Sequence, residues 1–489
     1  MYRRSRGRRL AATVLTLATL AWAGWAVSSF FLTADPVIVR VVDELGRPVV
    51  GAGVASGGDP VETAADGTVR LAWARGGLNL EVSADGFHFT RLRVDEQPEG
   101  EQDVVLRPFV LEASVVDGRG HPIQAAMVRT VVGEGSTDAG GRAAVRRAVP
   151  GLVVVERPGW EPVEVEWEGG SLSEVVMHPL VVRAVHLTGP AAGDRWDEFV
   201  DLAGRTELNG LMVDLKDESG LIFYPTQVER AIAGGAVVPR YDLTRLVADS
   251  RREGLYLMGR IVAFQDPIAA GAFPDLAALD QATGEPFNRD GQWFLDPTDP
   301  AAQDYALDLA REACAVGVDE VQFDYVRYPD RISGGVRFDG GAGPQTRVAA
   351  IKGFLQQATE MLHPMGCTVA ADLFGFTTTD RTDGGIGQLW EEVTSVIDVA
   401  SPMLYPSHYG RGWFGFDRPN DHPGPVVAEA LDDGLARLEH GVVVRPWLQD
   451  FGYDADQVRA QIAEAEARGL GWMLWNAVSE FTTAALDEP

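Results

Sequence analysis

Two kinds of hydrophobic pattern divide the chain. Between residues 36 and 180, apolar and polar positions alternate in short runs such as TVRLAW and LNLEVSA, punctuated by Gly, Pro and Asp. Successive side chains of a strand point to opposite faces, so this alternation predicts antiparallel strands with one buried face. From residue 181 the pattern changes. Near-continuous apolar runs appear: VVRAVHLTG (181–189), GLMVDLKD (210–217), YLMGRIVAF (256–264), EVQFDYVRY (320–328), TVAADLFGF (368–376), VASPMLYPSHY (399–409), VVVRPWLQDF (442–451) and GWMLWNA (471–477). The segments between them carry apolar residues at helical spacing. In PAAQDYALDLAREA, Tyr305, Leu309 and Ala313 recur at i, i+4 and i+8, with Pro300 and Gly317 as start and stop signals. Apolar strands alternating with helices predict a parallel sheet covered by helices, and eight such units predict a closed (β/α)8 TIM barrel. A doubly wound open sheet is the alternative, but no G-x-G-x-x-G or Walker-type loop follows an early strand.

The first region repeats internally. Asp43, Gly46 and Pro48 recur as Asp117, Gly120 and Pro122, each 74 positions later, and Thr63 and Gly67 recur as Thr137 and Gly141 at the same offset. Gly86 of ADGF and Gly159 of RPGW close the two copies. Two copies of this length predict a pair of small all-β sandwich domains rather than a solenoid. With these residues, both copies resemble the carboxypeptidase regulatory-like (transthyretin-like) β-sandwich family. That resemblance implies a fold and no activity. Spacing an enzyme from a membrane is the plain role; binding of a glycan or partner is the sharper one.

At the N-terminus, Arg3, Arg4, Arg6, Arg8 and Arg9 precede an uncharged run over residues 10–32. A bilayer-spanning helix needs about 20 apolar residues, and a basic flank stays cytoplasmic. A signal-anchor helix, with the rest of the chain outside the cytoplasm, is therefore expected. A cleaved signal peptide, giving a secreted protein, is the alternative. The expected layout is 1–34 basic N-terminus and anchor, 35–107 and 108–180 sandwich repeats, and 181–489 barrel.

Composition narrows the partners. The 489 residues carry a formal net charge of −29, with 46% apolar and 23% charged residues. Such a surface repels nucleic acid and anionic lipid headgroups, so the membrane is met through the N-terminal helix alone. The two cysteines, Cys314 and Cys367, are too few for a disulfide framework or a four-thiolate metal site; they read as small buried hydrophobes, with a single bridge as the alternative.

The chemistry is expected at the C-terminal ends of the barrel strands. There the sequence places Asp214 and Lys216, Arg260, Gln322, Asp324 and Arg327, Asp372, Tyr405 and His408, Gln449 and Asp450, and Trp475 and Asn476. One such group reads as a cap or a solvated loop residue; recurrence on seven of eight strands points to a binding mouth. Strand parity sets Gln322 and Asp324 on the inward face and Val321, Phe323 and Arg327 on the other. The same count turns Ala370 and Asp372 inward on the next strand. Asp324 and Asp372 thus face the mouth from adjacent strands about 4.8 Å apart. That separation suits the acid and nucleophile of a retaining glycosidase, at about 5–5.5 Å, with rotamers able to widen it. Tyr328–Pro329 is expected to end the fourth strand. Arg327 reads as an ion pair beneath the loops or as the group holding Asp324 ionised. The Gly- and aromatic-rich SHYGRGWFGFDRP (407–419) reads as a lid or platform.

The segments LMVDLKDESGLIFY, LMGRIVAFQDP, WFLDPTDPAAQDYALDLAREACAVGVDEVQFDYVRYP, AADLFGF, VASPMLYPSHY and RPWLQDFGY, in this order, resemble the "putative glycoside hydrolase domain" family of TIM barrels, long catalogued as a domain of unknown function. The resemblance runs from about residue 184 to 477, with FDYVRYP its most specific motif. It implies breakdown of a carbohydrate by carboxylate chemistry. The expected catalytic residues are Asp324 and Asp372. Asp214, Lys216, Arg260, Tyr325, Arg327, Tyr405, His408, Gln449, Trp475 and Asn476 are expected to bind substrate, with no cofactor or metal. The competing readings are a non-catalytic glycan-binding or scaffolding envelope protein and a metal-dependent hydrolase. The latter ranks below both because His408 has no spaced partner.

Overall fold

The computed structural model describes residues 36–488 apart from 75, 290, 331–334 and 439–440. The basic N-terminus and the apolar run expected to anchor the chain lie outside the described residues. Among the described residues, no helix is long and apolar enough to cross a membrane. The chain forms two compact units. Among the described residues, one comprises 36–115 with 124–155 and 163–175; the other comprises 116–123, 156–162 and 176–488.

The β-rich region is built twice on one plan. A three-stranded sheet orders Thr68–Ala72, Pro36–Asp43 and Gln102–Leu106; a four-stranded sheet orders Val61–Glu62, Gly53–Ala55, Leu78–Ser83 and Thr90–Val94. The second copy repeats both orders, with Arg142–Arg146, Val110–Asp117 and Ser171–Met177 in one sheet and Glu134–Ser136, Met127–Arg129, Gly151–Glu156 and Val163–Trp167 in the other. The repeated residues are turn devices. Asp43 Oδ1 accepts the N–H groups of Leu45 and Arg47, and Asp117 Oδ1 those of Arg119 and His121. Gly46 and Gly120 take positive φ in these turns, which glycine does without steric cost. Thr63 and Thr137 each accept a buried backbone N–H, from Ala52 and Ala126.

In the second unit eight parallel strands close into a barrel: β1 Arg183–Leu187, β2 Gly210–Lys216, β3 Tyr256–Val262, β4 Glu320–Asp324, β5 Thr368–Phe374, β6 Val399–Leu404, β7 Trp447–Gln449 and β8 Trp472–Trp475. Each pairs with its sequence neighbours, and β8 pairs with β1. The linking helices are α1 Trp196–Ala203, α2 Leu243–Glu253, α3 Pro300–Val316, α4 Pro344–Leu362, α5 Trp390–Thr394, α6 Pro423–Leu435 and α7 Ala455–Glu466. The expected boundary signals of α3 operate: Asp299 caps its N-terminus just before Pro300, and Gly317 ends it in a left-handed conformation.

Alternation along the strands sorts the core. Outward residues such as Val213, Ile261, Phe323 and Leu373 pack with the helices, and Phe323 meets Phe354 of α4 at 5.0 Å. Inward residues Ala184, Met212, Met258 and Met473 fill the barrel interior. Beneath them, Arg445 Nη2 pairs with Glu320 Oε2 at 2.5 Å, closing the N-terminal end. The polar mouth is the next inward position on these strands: His186, Asp214, Arg260 and Trp475.

Three expectations are corrected. The fourth strand stops at Asp324, not at Tyr328–Pro329, because Tyr325 turns to φ 47°. The seventh run is broken into Val443–Val444 and Trp447–Gln449, since Pro446 has no N–H to give the ladder. Cys314 and Cys367 are not two separate hydrophobes: they form a disulfide that ties α3 to the residue preceding β5.

Candidate active site

One guanidinium organises the mouth. Arg260 on β3 is 1% exposed and lies between two carboxylates. Its Nη1 donates to Asp214 Oδ1 at 2.7 Å; its Nε and Nη2 donate to Asp324 Oδ2 at 3.0 and 2.6 Å. Register makes this possible, since Asp214 pairs with Arg260 across β2–β3, and Val262, two residues on, pairs with Asp324 across β3–β4. Burial disfavours the Asp214 charge, yet His186 and Arg260 hold its carboxyl below the usual range. His186 Nε2 sits 2.8 Å from Asp214 Oδ1, and its ring stacks on Trp475 at 4.3 Å. Asp324 Oδ1 accepts the N–H of Tyr325 at 2.6 Å, a bond made where the strand ends.

Asp372 stands on the neighbouring strand. Gln322 pairs with Ala370 and Phe323 with Ala371, so Asp324 and Asp372 continue one register on strands about 4.8 Å apart. Asp372 is 1% exposed, against 6% for Asp324. Its Oδ1 accepts hydrogen bonds from Gln322 Nε2 and from Trp447 Nε1. Burial lifts the Asp372 carboxyl well above its usual range, and the nearby Asp324 adds to the lift. Gln388 steadies the backbone there: its Nε2 donates to Asp372 O, and its Oε1 accepts from Phe374 N.

The remaining expected residues divide. Tyr405 is buried, and burial together with Asp372 and Asp324 raises its phenol. His408 is exposed and meets the Tyr405 ring edge-on at 5.2 Å, and partial desolvation lowers its pKa. Gln449 is engaged with backbone, accepting from Ser407 N and donating to Phe451 O. Half-buried Tyr325 and Trp475 border the carboxylates, with the Arg260 guanidinium 5.0 Å from the Trp475 ring centroid.

Three do not join the group. Lys216 follows a register shift between Asp214 and Lys216; its ammonium lies 2.9 Å from Asp266 Oδ2 and donates to Val262 O, both buried. Arg327 packs against Tyr325 and Phe374 at 4.7 and 4.8 Å and donates to Tyr328 O. The guanidinium that donates to Asp324 is that of Arg260 instead. Asn476 donates to Asp450 O and accepts from Val478 N, shaping a loop. Conversely, His186 and Trp447 belong to the group and were not among the expected site residues, while Gln322, read as inward at the mouth, is the residue that donates to Asp372. Parity could have found His186, two residues beyond inward Ala184.

A closed eight-stranded parallel barrel, with paired carboxyls at the C-terminal strand ends, defines the class of the second unit as a TIM barrel with an acidic mouth. Residues 184–481 match the family described as "Putative glycosyl hydrolase domain". The chain belongs to that family. Among solved structures, it is similar to a hypothetical protein from Ruminiclostridium thermocellum ATCC 27405, at 31% identity over 38% of this chain and 96% of that one, with a TM-score of 0.36. It is also similar to the PgaB (BpsB) glycoside hydrolase domain from Bordetella bronchiseptica, at 14% identity over 61% of this chain and 95% of that one, with a TM-score of 0.45. The glycoside hydrolase domain of PelA from Pseudomonas aeruginosa gives 12% identity over 61% of this chain and 96% of that one, with a TM-score of 0.37. No curated protein matches the chain.

Proposed function

We propose that the chain hydrolyses O-glycosidic bonds of a polysaccharide or envelope glycan, with Asp324 and Asp372 as the catalytic pair. The observation that carries this reading is the unequal footing of two carboxyls on neighbouring strands. Asp372 is buried and lifted well above its usual range, whereas Asp324 faces two N–H groups of Arg260. Acid/base cleavage needs one carboxyl that keeps its proton beside a second that meets the sugar. Asp372 is the acid. Both hydrogen bonds to it fall on Oδ1, which leaves Oδ2 to carry the proton. That proton passes to the glycosidic oxygen as the bond to the anomeric carbon breaks. Asp324 faces the positive charge growing on the sugar, as nucleophile or as base for an attacking water. Carboxyls about 5–5.5 Å apart give retention and about 6.5–9.5 Å inversion. Asp214, Arg260, Tyr325, Tyr405 and Trp475 border the pair and orient the sugar.

The body works outside the cytoplasm in this proposal, anchored by the N-terminal segment or secreted after its cleavage. The five arginines ahead of the apolar run support this. So does the Cys314–Cys367 disulfide, because such bonds persist in oxidising compartments. Residues 35–107 and 108–180 serve as carboxypeptidase regulatory-like spacers.

A non-catalytic glycan-binding role is the second reading, favoured by the occupation of both Asp324 oxygens. One experiment separates the two. The full chain is incubated with a panel of polysaccharides, and reducing ends and binding are both measured. Hydrolysis by the wild type, falling at least about 10²–10⁴-fold in Asp324→Asn while binding is kept, supports the hydrolase. Binding without release of reducing ends by the wild type supports the second reading and ends the first.

A further inference from the structure

We propose that Gln322 and Trp447 are positioning residues: together they hold Asp372 by one carboxyl oxygen, so that the other presents its proton to the departing glycosidic oxygen. This deepens the hydrolase reading and rests on it for the link to cleavage. Gln322 on β4 and Trp447 at the start of β7 are both buried, and they reach Asp372 on β5 from different strands. Strand β4 adjoins β5 on one side; β7 lies beyond β6 on the other. Gln322 Nε2 and Trp447 Nε1 donate to the same atom, Asp372 Oδ1. An indole N–H can only donate, and an oxygen of this kind has two lone pairs. Two donors therefore fill Oδ1 and send the proton to Oδ2. The Trp447 ring is itself held, meeting Trp475 edge-on at 5.5 Å and His186 at 6.1 Å.

The other end of the Gln322 amide supports the same role. Its Oε1 is buried and has no hydrogen-bond partner among the described residues. A bare oxygen is costly to bury, so the bond to Asp372 is what sets the orientation of this amide. Turned over, the amide would set Oε1 against Oδ1. Only a proton on Oδ1 could then join them, and Oδ2 would have none to give. The two arrangements differ in sign. N–H donors favour the ionised carboxylate, so removing one makes Asp372 harder to ionise; an oxygen that accepts from the acid does the opposite. The charged and titratable groups facing Asp372 are Asp324 on β4, Arg260 on β3 and Tyr405 on β6, and the test leaves all three in place.

The first variant is Gln322→Met, similar in length but without the amide; the second is Trp447→Phe, which removes the indole N–H. On the best substrate of the polysaccharide panel, kcat/KM of the full chain is measured against pH. The acid must keep its proton, so the high-pH limb follows Asp372. In each variant the plateau is expected to fall about 10–10²-fold, because the acid is no longer aimed. The high-pH limb should move up by about one pH unit, because a donor to the carboxylate is lost. A residue that merely supports the fold would lower the plateau and leave the limb in place. The carboxyl is also followed without turnover, as the infrared difference between the chain and its Asp372→Asn form across pH, with and without each substitution. The C=O band of the protonated acid should persist to higher pH in the variants. A limb and band that stay in place, or that move to lower pH, would overturn the proposal. The two variants remove different donors, so if one fails to fold the other decides. A band that moves up without cleavage of any glycan keeps the hold on Asp372 and ends the hydrolase reading; cleavage with an unmoved limb does the reverse.

Discussion

Asp372 is buried next to another carboxyl, so its chemistry and its contribution to stability pull in opposite directions. Below the unfolded carboxyl's pKa, about 3.9, folded and unfolded chains both hold the proton and no penalty arises. As pH rises from there toward the raised folded pKa, the unfolded state releases its proton first and stability falls. Asp372→Asn cannot ionise, yet its amide oxygen can still accept from Gln322 and Trp447. Its melting temperature should exceed that of the wild type at pH 8, and the gap should close near pH 4. A gap that is absent at pH 8 would mean burial has not raised this carboxyl. Arg260 has the opposite character. Arg260→Met strands two buried carboxylates and should cost about 3–5 kcal/mol in urea unfolding at neutral pH, where removal of one partner leaves uncompensated charge. The inward placement of Asp324 and Asp372 was legible because both keep one parity on apolar strands. Lys216 was misread because a register shift after Asp214 leaves no mark in VDLKD. His186 was passed over because a lone histidine in VVRAVHLTG looks like core.

The strands and helices were read well wherever their boundaries are set by local chemistry. Pro300 and Gly317 bracket α3 as expected. Boundaries set by tertiary demand were not legible, as with the turn of Tyr325 that ends β4 so that Asp324 stands at the rim. Closure of the barrel depends on Gly471, which precedes β8. A Cβ there would lie 2.2 Å from the Val182 carbonyl oxygen, a backbone atom that cannot step aside. Gly471→Ala should therefore cost about 1–3 kcal/mol, seen as a lower melting temperature. The disulfide closes a loop of sequence separation 53, and its loss should cost about 4 kcal/mol in the chain-entropy picture. Urea unfolding of Cys314→Ser with Cys367→Ser measures this; an unchanged midpoint would show the bond to be dispensable.

For the molecule as a whole, a net charge of −29 repels polyanions at distance. Turnover of an anionic polysaccharide should therefore trail that of a neutral one at low salt, and the difference should narrow as salt is added. The two-part pattern of the sequence, alternating and then near-continuous in its apolar runs, was enough to separate the β-rich region from the barrel. It could not say which inward polar groups meet, because that depends on register between strands far apart in sequence. The sharpest test of the Asp324–Asp372 pairing varies the leaving group. An acid matters in proportion to how badly the departing oxygen needs a proton. Asp372→Asn should lose about 10³-fold in kcat/KM on an alkyl glycoside or natural glycan yet far less on a dinitrophenyl glycoside of the same sugar, whereas Asp324→Asn should lose activity on both. Equal losses for Asp372→Asn on the two substrates, or wild-type rates in either variant, would contradict the assignment.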